Sequence, residues 1–225
     1  MKNNRYPVND IYYTIQGEGC LTGVPAVFLR LHGCAVACPF CDTKETWDFV
    51  EGTEQESIDS VLGANGNHVY VSGSEINAYI CAHYPQASWV VITGGEPAQY
   101  PLKALVTALH DGGFKVAIET SGTETGHIGA ELDWITVSPK IDMPGGKLIQ
   151  APAILSADEI KHVIGKQSHI DQLDQLLIDM PQKESVTICL QPMSLSEKAT
   201  ALAIQTAKSR NWRLSLQTHK FVHIP

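Results

Sequence analysis

Six apolar, β-branched runs in this chain are each followed at once by a short polar signature, and that recurrence limits the open folds more than any other feature. AVFLRL (Ala26–Leu31) leads into LHGC, WVVI (Trp89–Ile92) into TGGEP, and KVAIE (Lys115–Glu119) into TSGT. WITVS (Trp134–Ser138) leads into SPK, VTICL (Val186–Leu190) into QPMS, and RLSL (Arg213–Leu216) into QTHK. A seventh run, EIKHV (Glu159–Val163), has the same strand character. Several runs are apolar on both faces, as in a parallel sheet covered on both sides. Helical patterns occupy Ser74–His83, Pro101–His110, Ile170–Met180 and Ser196–Arg210. Pro101 reads as a first-turn proline, Gly112–Gly113 as a C-cap, and SLSEKATAL supplies an N-cap serine. The βα alternation is incomplete, because the stretch from Ser138 to Glu159 is too rich in Pro and Gly for a regular crossover helix. The expected fold is therefore α/β, an incomplete TIM-like parallel barrel with fewer helices than strands, in one domain of residues 1–225. Each polar signature alone reads as a turn; six in register would line the C-terminal rim, where parallel barrels carry their chemistry.

Composition removes several function classes. A hydrophobic fraction of 44% with 18% charged residues describes a globular chain with a sizeable core. The net charge of −8 argues against binding a nucleic-acid backbone. No apolar run approaches the roughly 18–20 residues that cross a bilayer, so no membrane partner is expected. The start, MKNNRYPVNDIYYTIQGEG, lacks an apolar h-region, and a cytoplasmic location is expected. Thiols stay reduced there, so clustered cysteines point to metal or redox chemistry. Cys20, Cys81 and Cys189 are scattered and are expected to be core residues.

The other three cysteines stand together in CAVACPFCD, with the spacing C-x3-C-x2-C at Cys34, Cys38 and Cys41. Soft thiolates suit zinc or an iron–sulfur cluster. Three of them would leave one iron of a four-iron cluster open, as a catalytic metal requires. Spacing alone also allows a zinc site completed by His32 or Asp42, or a redox thiol group. Arg30 interrupts an apolar strand, which is costly without a partner, and its planar fork suits a carboxylate. Its alternative is a surface or structural role.

CAVACPFC, with Phe40 before the last cysteine, and GGEP (Gly94–Pro97) after a strand resemble the two hallmarks of the radical S-adenosylmethionine (SAM) superfamily. Within it, QGEG (Gln16–Gly19), GVPAVFLRLHGC (Gly23–Cys34), CDTKETW (Cys41–Trp47), VVITGGEP, IETSGT, TVSPK, EIKHVIG, LQPMS and NWRLSLQTHK together resemble the 7-carboxy-7-deazaguanine synthase family. The likeness runs from near Tyr6 to the C-terminus and is weakest over Val50–Ser88. It implies a magnesium-dependent radical ring contraction of 6-carboxy-5,6,7,8-tetrahydropterin to 7-carboxy-7-deazaguanine, with loss of ammonia, in queuosine biosynthesis. It further implies a [4Fe–4S] cluster on Cys34, Cys38 and Cys41, whose open iron chelates SAM so that reduction yields a 5′-deoxyadenosyl radical. The SAM site would comprise Phe40, Cys41, Asp42, Gly95, Ser138, Pro139, Lys140, Gln191, Pro192, Met193 and Ser194. Ile15, Gln16, Gly17, Arg30 and Thr93 would contact substrate, and Thr43 would ligate Mg2+, its alternative being a turn cap. A reductant such as flavodoxin and a homodimer are implied as partners.

Four further site residues rest on position. Glu119 ends the third strand and is the candidate acceptor for the pterin's amide and amino edge. Glu18 is a second carboxylate near the mouth, and either would assist proton movement. His219, in QTHK, and the terminal carboxylate of Pro225 would reach the same pocket. A glycyl-radical activating enzyme shares the cluster spacing but must dock a protein, which QGEG, SPK and QTHK suit less well than a small molecule.

Overall fold

In the computed structural model, which describes residues 4–63, 65–193 and 196–224, all seven apolar runs are strands. They are β2 (Pro25–Leu31), β4 (Trp89–Gly94), β5 (Lys115–Thr120), β6 (Trp134–Val137), β7 (Glu159–Ile164), β8 (Thr187–Pro192) and β9 (Arg213–Leu214). Each pairs in parallel with the next in that order. Two further strands, β1 (Arg5–Ile15) and β3 (Val69–Ser72), extend the sheet antiparallel on the β2 side. The order is β3-β1-β2-β4-β5-β6-β7-β8-β9, and its two ends do not join. The sheet is a partial barrel with fewer helices than strands, as expected.

β1 had no counterpart in the sequence reading because its apolar signal is interrupted. Asn9 and Asp10 are both buried, and a register shift lies between Val8 and Asp10. A distant loop partners them in part: Asn9 Nδ2 donates to the Asn67 carbonyl at 2.8 Å, and the Gly63 N–H donates to Asp10 Oδ1 at 3.2 Å, while Asn9 Oδ1 is buried with no partner among the described residues.

The helices are α1 (Gly73–His83), α2 (Lys103–Asp111), α3 (Ala151–Ser156), α4 (Gln167–Asp179), α5 (Glu197–Arg210) and α6 (Thr218–Val222). Gly112 and Gly113 close α2, and Ser196 caps α5 by accepting from the Ala199 N–H, both as expected. Pro101 lies outside α2 instead of in its first turn, and its carbonyl accepts from Tyr6 Oη at 2.9 Å. The stretch between β6 and β7 does form a short helix, α3, with Pro152 at its start, where no N–H is needed.

Two apolar clusters back the sheet. One joins β1–β5 to α1 and α2, and the other joins β6–β8 to α3, α4 and α5. Strand alternation sends Ala26, Val91 and Ala117 to the inner side of the curl, where they pack with Phe28, Trp89 and Trp134. This third cluster plugs the N-terminal end of the partial barrel.

Candidate active site

The six polar segments meet around one cavity of about 500 Å³ at the C-terminal ends of the strands. Cys34, Cys38 and Cys41 all open into it, and none is in a disulfide. Phe40, Asp42 and Thr43 continue the same wall. Thr43 heads the turn Lys44–Thr46 without a side-chain cap, so its hydroxyl is not consumed there; it lies 3.6 Å from Cys41 Sγ. His32 is not part of this wall. It is buried, its Nε2 lies 3.0 Å from the Asp48 carbonyl oxygen, and its ring stacks on His68 with centroids 4.9 Å apart.

GGEP is zipped onto the backbone that leads to Cys34. The Gly95 N–H donates to the Leu31 carbonyl and the Glu96 N–H to the Gly33 carbonyl, both at 2.8 Å. A Cβ at Gly94, where φ is +135°, would sit 2.0 Å from the Leu31 oxygen, and one at Gly95 2.2 Å from the Gly33 oxygen. Only glycine permits that approach. Glu96 is 2% exposed and accepts from the Ala98 N–H (2.9 Å), Thr120 Oγ1 (2.6 Å), the Ser121 N–H (2.7 Å) and Ser121 Oγ. It clamps the ends of β4 and β5 together. Glu96→Gln turns one acceptor into a donor facing donors, and is expected to cost about 2–3 kcal/mol, read as a lowered urea midpoint at unchanged slope.

The same cavity carries a set of charged side chains. Arg30 and Thr93 are register partners on β2 and β4 and both face the cavity. Arg30 Nη2 donates to Tyr12 Oη at 2.9 Å, while its Nε is buried with no partner among the described residues. Lys161, its side chain 4% exposed, donates to Glu18 Oε2 at 2.7 Å and to Glu119 Oε2 at 2.9 Å. Gln217 Nε2 donates to Glu18 Oε1 at 2.8 Å, and Gln16 Nε2 to Glu119 Oε1 at 3.2 Å.

Burial opposes charge on Glu18, but the Lys161 cation and the hydrogen bonds from Lys161, Gln217 and Gln191 outweigh it and hold the carboxyl down to about 2. On Glu119 burial prevails, aided by the Glu18 charge against the pull of Lys161, and its carboxyl is pushed up to about 7. One acid is thus fixed as an anion and the other exchanges its proton near neutrality. Glu119 contributes stability below its ordinary value of 4.5 and loses it as pH rises through about 7. Glu18 contributes above 4.5 and loses it as pH falls through about 2, so the two oppose one another in stability. Activity carries the signal instead: kcat/KM is expected to titrate near pH 7, and Glu119→Gln is expected to abolish that titration.

No protein-family model matches the chain. The 7-carboxy-7-deazaguanine synthase of Escherichia coli (strain K12) is 43% identical over 223 residues, covering 98% of this chain and 99% of its own. This chain belongs to the 7-carboxy-7-deazaguanine synthase family. The synthase of Buchnera aphidicola subsp. Schizaphis graminum (strain Sg) is 40% identical, covering 97% and 99% of the two chains. The crystal structure of QueE from Escherichia coli superposes with a TM-score of 0.88 at 41% identity, over 95% of this chain and 94% of that one. Among the described residues no helix is long and apolar enough to cross a membrane.

In this member of the synthase family, the remaining expected site residues fall as follows. Ile15 ends β1 and Gln16, Gly17 and Glu18 follow it into the cavity, Ser138 and Lys140 follow β6, and Gln191 and Pro192 end β8, with Met193 next. Lys140 Nζ donates to Ser138 and lies 6.0 Å from the Phe40 ring. His219 reaches the wall from α6, where QTHK had been expected only as the rim of a longer last strand. α6 rests on Gly17: the Thr218 N–H donates to the Gly17 carbonyl at 2.9 Å, and a Cβ on Gly17 would sit 2.4 Å from His219 Nδ1. Gly17→Ala is expected to displace His219 and raise KM for the substrate severalfold with the fold intact.

Pro139 is buried between Ser138 and Lys140, which line the cavity, and is not itself part of the wall. Ser194 and Pro225 lie outside the described residues. Cys81 is exposed, beside the core-facing Ile80 on α1, and is no core residue. Cys189 is buried as expected, but Cys20 is only half-buried and lies 3.9 Å from it, sulfur to sulfur. Lys161, Gln217 and the clamp role of Glu96 escaped the sequence reading. Lys161 was legible in principle, as a cation in a strand interior to a parallel sheet, where burial requires an anion.

Proposed function

We propose that residues 1–225 form one radical SAM domain that works as a 7-carboxy-7-deazaguanine synthase. The reaction is the ring contraction of 6-carboxy-5,6,7,8-tetrahydropterin with release of ammonia, a carbon–nitrogen lyase step in queuosine biosynthesis. The observation that carries this reading is that three free thiols, a guanidinium with an unpartnered Nε and the Glu18–Lys161–Glu119 array all face one cavity. Its volume of about 500 Å³ lies within the range of roughly 300–1,000 Å³ usual for small-molecule pockets.

The donor set fits the cofactors. Cys34, Cys38 and Cys41 are soft, free and grouped, and with His32 turned away they would hold a [4Fe–4S] cluster with one iron open. Phe40, Asp42, Gly95, Ser138, Lys140, Gln191, Pro192 and Met193 lie beside them on the wall and would bind SAM, with Pro139 and Ser194 in the same segments. The hydroxyl of Thr43, which does not cap its own turn and lies 3.6 Å from Cys41 Sγ, would join the substrate carboxylate on Mg2+. When bound, the cluster and SAM supply the radical that takes a hydrogen atom from the pterin. The chain's own residues do the rest. Arg30 binds the pterin carboxylate through its free edge. Ile15, Gln16, Gly17, Thr93 and His219 orient the ring. Glu18 stays an anion on Lys161, while Glu119 holds and passes the proton that the rearrangement and ammonia release move. A flavodoxin-type reductant, a homodimer and a cytoplasmic setting complete the proposal.

Reduced, cluster-loaded protein given SAM and the pterin is expected to form 7-carboxy-7-deazaguanine. SAM consumption with the pterin unchanged would reject the substrate. Colourless protein without a reducible cluster after anaerobic reconstitution with iron and sulfide would reject the radical chemistry.

A further inference from the structure

We propose that Cys20, Glu159 and Cys189 form a second metal site, for a soft divalent cation of the zinc type, inside the barrel below the active cavity. None of the three lines that cavity. Glu159 precedes Lys161 by two residues on the inner face of β7, and Cys189 is the register partner of Lys161 on β8. Cys20 comes from the turn Gly19–Leu21, directly after the substrate segment.

Three observations carry the proposal. First, one sulfur from each cysteine and a Glu159 oxygen lie within 4.8 Å of one another. The sulfurs are 3.9 Å apart, and two thiolates at about 2.3 Å from a tetrahedral zinc are separated by about 3.8 Å. A disulfide would instead require closure to about 2.05 Å. Second, Glu159 is 1% exposed and is held by one oxygen only. Its Oε2 accepts from the Cys20 N–H at 2.9 Å and from Trp134 Nε1 and Thr136 Oγ1 at 3.4 Å, whereas Oε1 is buried with no hydrogen-bond partner among the described residues. A carboxylate locked through one oxygen with the other left free is the arrangement that outer-shell contacts give a metal ligand. Third, Arg213 Nη1 donates to Cys20 Sγ at 3.1 Å and orients that sulfur from the exposed side, where a solvent molecule would complete four-coordination. Two thiols exclude hard cations such as Mg2+ as the preferred occupant. The site is independent of the pterin chemistry; it clasps the turn after Glu18 to β7 and β8.

The test uses the full-length chain under anaerobic, thiol-reducing conditions, with zinc presented against a chromophoric chelator. C34A/C38A/C41A, which has lost the cluster ligands, is expected to retain one zinc per chain. Adding C189A or E159Q is expected to weaken retention by roughly tenfold or more. Cobalt should give a sulfur-to-metal charge-transfer band in C34A/C38A/C41A that C20A, at the half-exposed ligand, removes without changing the far-ultraviolet circular dichroism. The wild-type chain carrying its cluster should hold one zinc beside its iron. No zinc in C34A/C38A/C41A, or retention indifferent to C20A, C189A and E159Q alike, would overturn the proposal.

Discussion

Arg30→Ala is expected to lower kcat/KM for the carboxypterin by about 10²–10³-fold, the loss of roughly 3–4 kcal/mol of charge-assisted hydrogen bonding at tenfold per 1.36 kcal/mol. Arg30 is anchored to Tyr12 through Nη2 and keeps a buried, unpartnered Nε on a cavity-facing strand position. A substrate carboxylate would give this guanidinium the charge-assisted partner it lacks. Lysine is not expected to rescue, because it cannot offer the planar fork while holding Tyr12. The visible spectrum of the cluster should be unchanged in Arg30→Ala; loss of the cluster instead would make the residue structural. Kinetics and spectrum together therefore separate substrate recognition from folding.

Lys161→Met should be the most destabilising single change at the site, by about 3–5 kcal/mol, because removing one member of a buried ion set leaves the others uncompensated. Here two carboxylates, their side chains 19% and 18% exposed, share a lysine that is only 4% exposed. Burial works against charge on Lys161, yet the two glutamates outweigh it and raise its pKa above the ordinary lysine value. Without it, both acids would be pushed above their ordinary range in the folded state. A raised carboxyl contributes stability below its unfolded value and loses it as pH rises through the folded one. The variant should therefore be more stable in urea near pH 5 than near pH 8, and adding Glu119→Gln should recover part of the loss. An unfolding midpoint equal to wild type at pH 8 would remove the array from the account of this site.

What the sequence disclosed follows the reach of each interaction. The parallel strands and their rim were legible because an apolar run and the turn residues after it are local signals. The three thiols that share the cavity wall and GGEP beside them were legible because each is a contiguous motif. β1 was hidden because Asn9 and Asp10 are paid for by partners more than fifty residues away. Lys161 meets Glu18 across 143 residues, and Cys20 meets Cys189 across 169, separations that no spacing rule spans. Cys81 followed the average burial of its residue type, and the average failed because a helix has an outer face.

The junction of α6 with Gly17 also imposes an order on biosynthesis. Gln217 and Thr218 bond to Glu18 and Gly17, so one wall joins an early segment of the chain to a late one. While the polypeptide is being made, the loop from Cys34 to Cys41 is complete long before residues 217–220 emerge. The wall that joins Gly17 and Glu18 to α6 is therefore completed only once residues 217 and 218 have been made.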